Sequence, residues 1–114
     1  MADPRRALGA HGEDLVAAWY EARGYDVVDR NWRVREGEID LVLARGRDIV
    51  FCEVKTRSSA AFGPPSLAVT PTKQRRLRKL GSMWLSARGH APTDIRFDVA
   101  SVLGDEIEVL PAAF

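Results

Sequence analysis

The chain has 114 residues, 46% apolar and 29% charged, enough for one modest hydrophobic core but not two, and no apolar run nears the roughly 18 residues of a membrane span. Its polar start, Met1-Ala2-Asp3-Pro4-Arg5-Arg6, argues for a cytoplasmic protein of one domain, residues 1–114, while a lone Cys52 excludes an internal disulfide or a cysteine zinc site, and His11 and His90 lack metal-ligand spacing. The net charge of +1 hides a segregation: residues 1–53 hold 8 Lys+Arg against 11 Asp+Glu, residues 54–93 hold 8 and none, and residues 94–114 hold 1 and 5, a layout that suits divalent cations on one element and a polyanionic backbone on the next.

Taken in chain order, residues 8–23 read as a helix, with Leu8, Leu15, Trp19 and Ala22 on one stripe and Gly24 as the stop. Residues 25–33 are β-branched enough for a first strand, and residues 38–44 and 48–55 are the clearest strands in the chain. Arg45-Gly46-Arg47 between them has room only for a hairpin, so those strands should be antiparallel neighbours. Residues 56–69, with Gly63-Pro64-Pro65, lack either period and are expected to form a long, mobile loop of a length that is often functional. Thr70 makes an N-cap with Pro71 behind it, and a helix runs to Arg88 with Leu77, Leu80, Met83, Trp84 and Ala87 inward and Gly89 at its end. Residues 95–103 and 106–110 alternate as strands around Gly104-Asp105, which completes the order α-β-β-β-α-β-β.

The chemistry concentrates on the central hairpin. Side chains alternate along a strand, so Ile39, Leu41 and Leu43 should share one face and Glu38, Asp40 and Val42 the other. On the next strand Phe51, Glu53 and Lys55 lie opposite Val50, Cys52 and Val54. If Gly46-Arg47 is a two-residue turn, residues whose numbers sum to 93 face one another, and Asp40 and Glu53 satisfy that sum. Two carboxylates so paired repel each other, and a hard cation such as Mg²⁺, bound by one or two carboxylates, backbone carbonyl and water, would compensate. Such a metal could polarise a scissile phosphate, with Lys55 neutralising charge that develops on the phosphoryl group. The ordinary alternative is a half-exposed sheet face on which Lys55 merely salt-bridges an acid.

At these residues the chain resembles a known group. Asp40 followed by Glu53-Val54-Lys55 resembles the PD-(D/E)XK nuclease superfamily, with Ile39 at the position of the motif's proline. Gly12-Glu13, Arg30-Asn31-Trp32-Arg33, Gly37-Glu38-Ile39-Asp40-Leu41, Glu53-Val54-Lys55-Thr56-Arg57 and Val69-Thr70-Pro71 with Lys73-Gln74 resemble the YraN family of small bacterial endonuclease-like proteins, over roughly residues 8–103. The layout is also similar to the archaeal Holliday junction resolvases, which are dimeric. The resemblance implies a restriction-endonuclease-like, three-layer α/β fold with a mixed central sheet flanked by helices, and Mg²⁺ or Mn²⁺ as cofactor. It makes Glu13 a further metal ligand from the first helix and has Gln74 support the catalytic face from the second. Unaided, Glu13 and Gln74 read as ordinary solvated helix residues.

Lys73, Arg75, Arg76, Arg78 and Lys79 place five positive charges within seven residues of one helix, suited to phosphate contact, with a plain solvated face as the alternative. Arg57 lies nearer the Glu-x-Lys and is the better candidate for the neighbours of a scissile phosphate. Glu38 is a secondary acid on the Asp40 side. Trp19, Trp84, Phe97 and Cys52 read as packing, and Trp32 and Phe62 as candidates for exposure. The expected function is metal-dependent endonucleolytic hydrolysis of nucleic-acid phosphodiesters, with structured or branched DNA as the candidate substrate. A homodimer would suit a junction substrate. The alternatives are a non-cleaving nucleic-acid-binding module that retains fold and metal site, and an interaction subunit whose carboxylates are remnants.

Overall fold

The computed structural model describes residues 4–57, 69–89, 91–92 and 94–114, with side chains from residue 7 onward. Its elements are α1 (Pro4–Glu21), β1 (Asp26–Val34), β2 (Gly37–Arg45), β3 (Asp48–Arg57), α2 (Pro71–Arg88), β4 (Asp94–Leu103) and β5 (Glu106–Leu110), in the order that the patterning predicts. The five strands form one sheet in chain order. All neighbours are antiparallel except β3 and β4, which are parallel, and α2 lies in the connection between them. Gly46, at φ +62, makes the tight turn between β2 and β3 that sets their register.

Each face of the sheet carries one helix, giving the three-layer α/β fold with a mixed central sheet. On one face α1 packs Val16, Ala17 and Tyr20 onto Leu41, Leu43, Val50, Cys52, Ala100 and Val102. On the other, α2 packs Leu77, Leu80 and Trp84 onto Ile39, Val42, Ile49, Phe51, Phe97 and Val99. Because β3 and β4 are covered on both sides, their cores read as nearly unbroken apolar runs. Among the described residues no helix is long and apolar enough to cross a membrane.

The caps of α2 are as expected: Thr70 accepts from the Lys73 N–H, Pro71 opens the helix, and Gly89 closes it at φ +61. Several packing expectations are corrected. The inward stripe of α1 is Gly12, Val16, Ala17 and Tyr20, whereas Leu8 and Ala22 are exposed and Leu15 and Trp19 are half-buried. Ala87 is exposed, and Gly81 takes a buried place on α2, where an added Cβ would stand 3.0 Å from the Phe97 ring and 3.1 Å from that of Phe51. Ile39 packs with the α2-side core although Leu41 and Leu43 pack with the α1 side, so strict alternation breaks at Asp40. Thr56 and Arg57 belong to β3 rather than to the following loop, and residues 58–68 of that loop, with Phe62, lie outside the described residues, as does His90.

Gly12 explains how α1 comes so close to the sheet. A Cβ there would lie 2.0 Å from Thr56 Oγ1, 3.2 Å from its Cβ and 3.3 Å from its Cγ2. Rotating Thr56 only exchanges one branch for the other, so the helix itself must retreat. Gly12→Ala is therefore expected to destabilise the protein by about 2 kcal/mol, read from denaturant melts. An unchanged melt would show that α1 is not held against β3 at this point.

Candidate active site

The ladder between β2 and β3 runs from Arg45↔Asp48 to Leu41↔Cys52 and stops there. Beyond that pair β2 continues against β1 as far as Gly37, and β3 continues against β4 as far as Arg57. The sheet therefore forks, and Asp40 and Glu53 are the first residues past its apex, just beyond the last pair Leu41↔Cys52. The Val54 N–H, left without a strand partner on this side, donates to Asp40 Oδ2 at 2.8 Å. That bond fixes the Asp40 carboxylate in the mouth of the fork.

Other acids approach from three directions. Glu53 Oε1 lies 3.3 Å from Lys55 Nζ on its own strand, so the ordinary salt bridge foreseen for these residues is present. Glu13 reaches in from α1 with its side chain only 15% exposed; its Oε1 accepts from Asn31 Nδ2 at 2.9 Å and lies 3.8 Å from Arg30 Nη2. Glu38 is ion-paired with Arg33 at 3.4 Å. A cleft of about 600 Å³ opens between α1 and the β1–β2 arm, lined by Glu13, Arg30, Asn31, Arg33, Glu38 and Asp40. A second recess of about 330 Å³, lined by Glu13, Lys55 and Thr56 among others, lies on the β3 side.

The electrostatics follow from this crowding. Burial pushes the Asp40 carboxyl up to about 7, the charge of Glu53 adds to the rise, the Val54 N–H bond opposes it, and Glu13 and Glu38 raise it further. Glu13 is raised as well, first by burial, against the pull of its Asn31 hydrogen bond and of Arg30. A carboxyl raised by burial and by acidic neighbours is a common mark of a functional site.

The donors at the fork bear on the divalent cation expected from sequence. Among the described residues no three His, Cys, Asp or Glu side chains close into a ready-made metal cage. Asp40 and Glu53 nevertheless both lie just past the apex of the fork, close enough for the charge of Glu53 to raise Asp40, which fits a hard cation of the kind held by one or two carboxylates and otherwise by water.

The remaining candidates lie outside this cluster. Gln74 is half-buried and donates to the Val69 carbonyl at 3.3 Å, so its observed contact steadies the entry to α2. Arg57 is half-buried at the end of β3. Lys73, Arg75, Arg76, Arg78 and Lys79 are all exposed on α2, with the Arg78 guanidinium 5.3 Å from the Phe97 ring centre and Arg75 bonded to Thr72 Oγ1 at 3.3 Å. Asn31 and Arg30, which sequence reasoning gave no role, are part of the cluster. Nothing in residue spacing signals this, because Asn31 reaches Glu13 from a left-handed backbone at φ +50.

Fold and site together define a mixed α/β protein with one helix on each face of a five-stranded sheet and an acid-lined fork between its second and third strands. The chain belongs to the uncharacterised protein family UPF0102, whose model matches residues 12–102. It is 51% identical over 96 residues to a UPF0102 protein of Frankia alni, covering 84% of this chain and 80% of that one. It is 50% identical over 97 residues to one of Rhodococcus jostii, covering 85% and 82%, and 47% identical over 97 residues to one of Geobacter sulfurreducens, covering 85% and 76%. Among solved structures, SfsA of Pyrococcus furiosus in complex with Ca²⁺ is similar at a TM-score of 0.40 and 15% identity, over 94% of this chain and 62% of that one. That likeness is too slight to carry an argument.

Proposed function

We propose that the protein is a metal-dependent endonuclease that hydrolyses nucleic-acid phosphodiesters, with structured or branched DNA as the substrate class. The observation that carries this reading is Asp40, a largely buried carboxyl pushed up to about 7 beside Glu53 at the mouth of the fork. The resemblance of Asp40 and Glu53-Val54-Lys55 to the PD-(D/E)XK nucleases supports it.

Asp40 and Glu53 would hold the cation, Mg²⁺ or Mn²⁺, with Glu13 approaching from α1. Bound there, it would supply Lewis acidity to the scissile phosphate and favour ionisation of an attacking water. The chain's own groups do the rest. The Val54 N–H keeps Asp40 turned into the fork. Lys55, 3.3 Å from Glu53, carries the positive charge available to oxygens that gain charge as the phosphodiester breaks. Glu38 is held back by Arg33 and serves as a neighbouring charge.

The exposed cations of α2 supply the surface for the rest of the substrate. No carboxylate among the described residues forms an ion pair with any of the five. If all five engage duplex phosphates, binding should fall with salt at a log–log slope of about −4 to −5, and Arg76→Ala with Lys79→Ala should lower the slope by about 2. A slope near zero in fluorescence anisotropy would exclude α2 as the contact surface.

The decisive experiment is cleavage of labelled single strand, duplex, flap and four-way junction with Mn²⁺ or Mg²⁺, by wild type, Asp40→Ala and Glu53→Ala. Cleavage of one substrate by wild type, lost in both variants, is the expected result. The observation that among the described residues no three donors close into a cage favours a second reading, a nucleic-acid-binding module that does not cleave alone. Binding to the same panel without any cleavage would establish that reading instead.

A further inference from the structure

The sheet is unevenly covered on its α2 side. Ile49 and Ile95 are partners in the β3–β4 register, and so are Phe51 and Phe97 two residues on. Ile49 is 2% exposed, whereas Ile95 is 42% exposed, and α2 lies nearer β2 than β4. The flank left open between α2 and β4 holds a recess of about 250 Å³, lined by Phe51, Ile95 and Phe97 of the sheet and by Arg78, Ser82 and Leu85 of the helix, among others. Its lining is apolar except for the Arg78 guanidinium and the Ser82 hydroxyl. Arg75, Arg78, Ser82 and Leu85 follow one another at helical spacing, so the recess ends a single stripe along α2 that begins with two cations. Among the described residues no carboxylate forms an ion pair with Arg75 or Arg78. Asp94, next to Ile95, accepts from the N–H of its neighbour at 3.0 Å.

We propose that this stripe is a docking surface for an acidic segment of a partner protein, which seats one large apolar side chain in the recess and sets its carboxylates against Arg75 and Arg78. Size argues for a single side chain, because small-molecule sites span about 300–1,000 Å³ and this recess is smaller. Charge decides the flanks: two cations without acidic partners stand one and two turns before an apolar hole on the same face. An apolar anchor in a pocket with a polar rim is the arrangement in which a few residues carry most of the affinity. A nucleobase fits the recess less well, since it would need an open ring face to stack on. Phe97 is only 8% exposed and is already stacked against Phe51 at 5.3 Å and Phe114 at 5.2 Å between ring centres. The proposal is independent of the chemistry at the fork, and it gives two cations of α2 a use besides phosphate contact.

The test uses fluorescein-labelled pentapeptides, four glutamates around a central leucine, tryptophan or alanine, titrated with the full chain at low salt and read by anisotropy. The leucine and tryptophan peptides should bind at least about tenfold tighter than the alanine peptide. Ser82→Phe fills the recess from an exposed helix position, and Ile95→Glu brings a like charge to its rim. Both should erase the preference for leucine while their thermal melts match wild type, and Arg75→Ala with Arg78→Ala should weaken all three peptides alike. Equal affinity of the three peptides for wild type, or a leucine preference that survives both variants, would overturn the proposal. Oligothymidylate binding that Ser82→Phe weakens, beside peptides that do not bind, would assign the recess to a base and refute it as well.

Discussion

In the presence of a chelator the wild-type protein should lose stability as pH rises from about 4 to about 7, and Asp40→Asn should abolish most of that loss. Asp40 is raised from 3.8 to about 7 in the folded protein. Below the lower value the carboxyl is protonated whether the chain is folded or not, and the fold carries no penalty. Between the two values the unfolded chain releases its proton while the folded one retains it, so folding becomes progressively less favourable; above the higher value the penalty is complete. The ceiling is about 4 kcal/mol at about 1.4 kcal/mol per pKa unit. Discounted for coupling to neighbouring charges, a change of about 2 to 3 kcal/mol is expected. Asparagine keeps an oxygen for the Val54 N–H but cannot ionise, so Asp40→Asn should be more stable than wild type at pH 8 and yet inactive on every substrate. Mn²⁺ should restore the wild type's stability at pH 8 and leave the variant unmoved. Parallel stability–pH curves for the two proteins in urea titrations would refute the account of Asp40.

The largest purely structural effect is expected at Asp98, which is 1% exposed. Its Oδ1 accepts from Arg96 Nε at 2.8 Å and from the Ala112 N–H at 2.9 Å, and its Oδ2 accepts from Tyr20 at 2.6 Å and from Arg96 Nη2 at 3.0 Å. One carboxylate therefore ties α1 to β4 and to the segment that follows β5. Asp98→Ala leaves a guanidinium and a phenol without their partner and should cost about 3 to 5 kcal/mol. Asp98→Asn retains acceptor capacity but not charge and should cost less. Equilibrium urea unfolding measures both, and a loss under about 1 kcal/mol for the alanine variant would contradict a tie of this strength.

Much of the architecture was legible because it depends on local chemistry. The Gly46-Arg47 turn sets the β2–β3 register, and counting from it gives the pairs from Arg45↔Asp48 to Leu41↔Cys52, one short of Asp40 and Glu53. Thr70, Pro71 and Gly89 mark the ends of α2 by side-chain chemistry alone. What escaped depends on partners far away in the chain. Large residues suggested the stripe of α1, yet the helix approaches the sheet through Gly12 and Ala17, because close packing selects for small size as well as hydrophobicity. Ile39 changes sides because the strand is irregular at Asp40, opposite a left-handed Asn31, and no periodicity announces that. The Asp98 tie joins residues 78 apart for Tyr20 and 14 apart for Ala112, beyond the reach of any motif. The fork itself was invisible: the sequence shows two strands facing each other, but not where they part.

The fork also has a mechanical consequence. Past Leu41 and Cys52 the sheet is two separate ribbons, one made of β1 and β2 and the other of β3, β4 and β5. Asp40 rides on the first ribbon and Glu53 with Lys55 on the second, and the Val54–Asp40 hydrogen bond is a strut across the gap. The distance between the two acids is therefore a gauge of how far one ribbon twists against the other. A ligand gripping both acids would act as a clasp, making the two arms move as one body and slowing amide exchange at Val54 and along Gly37–Ile39.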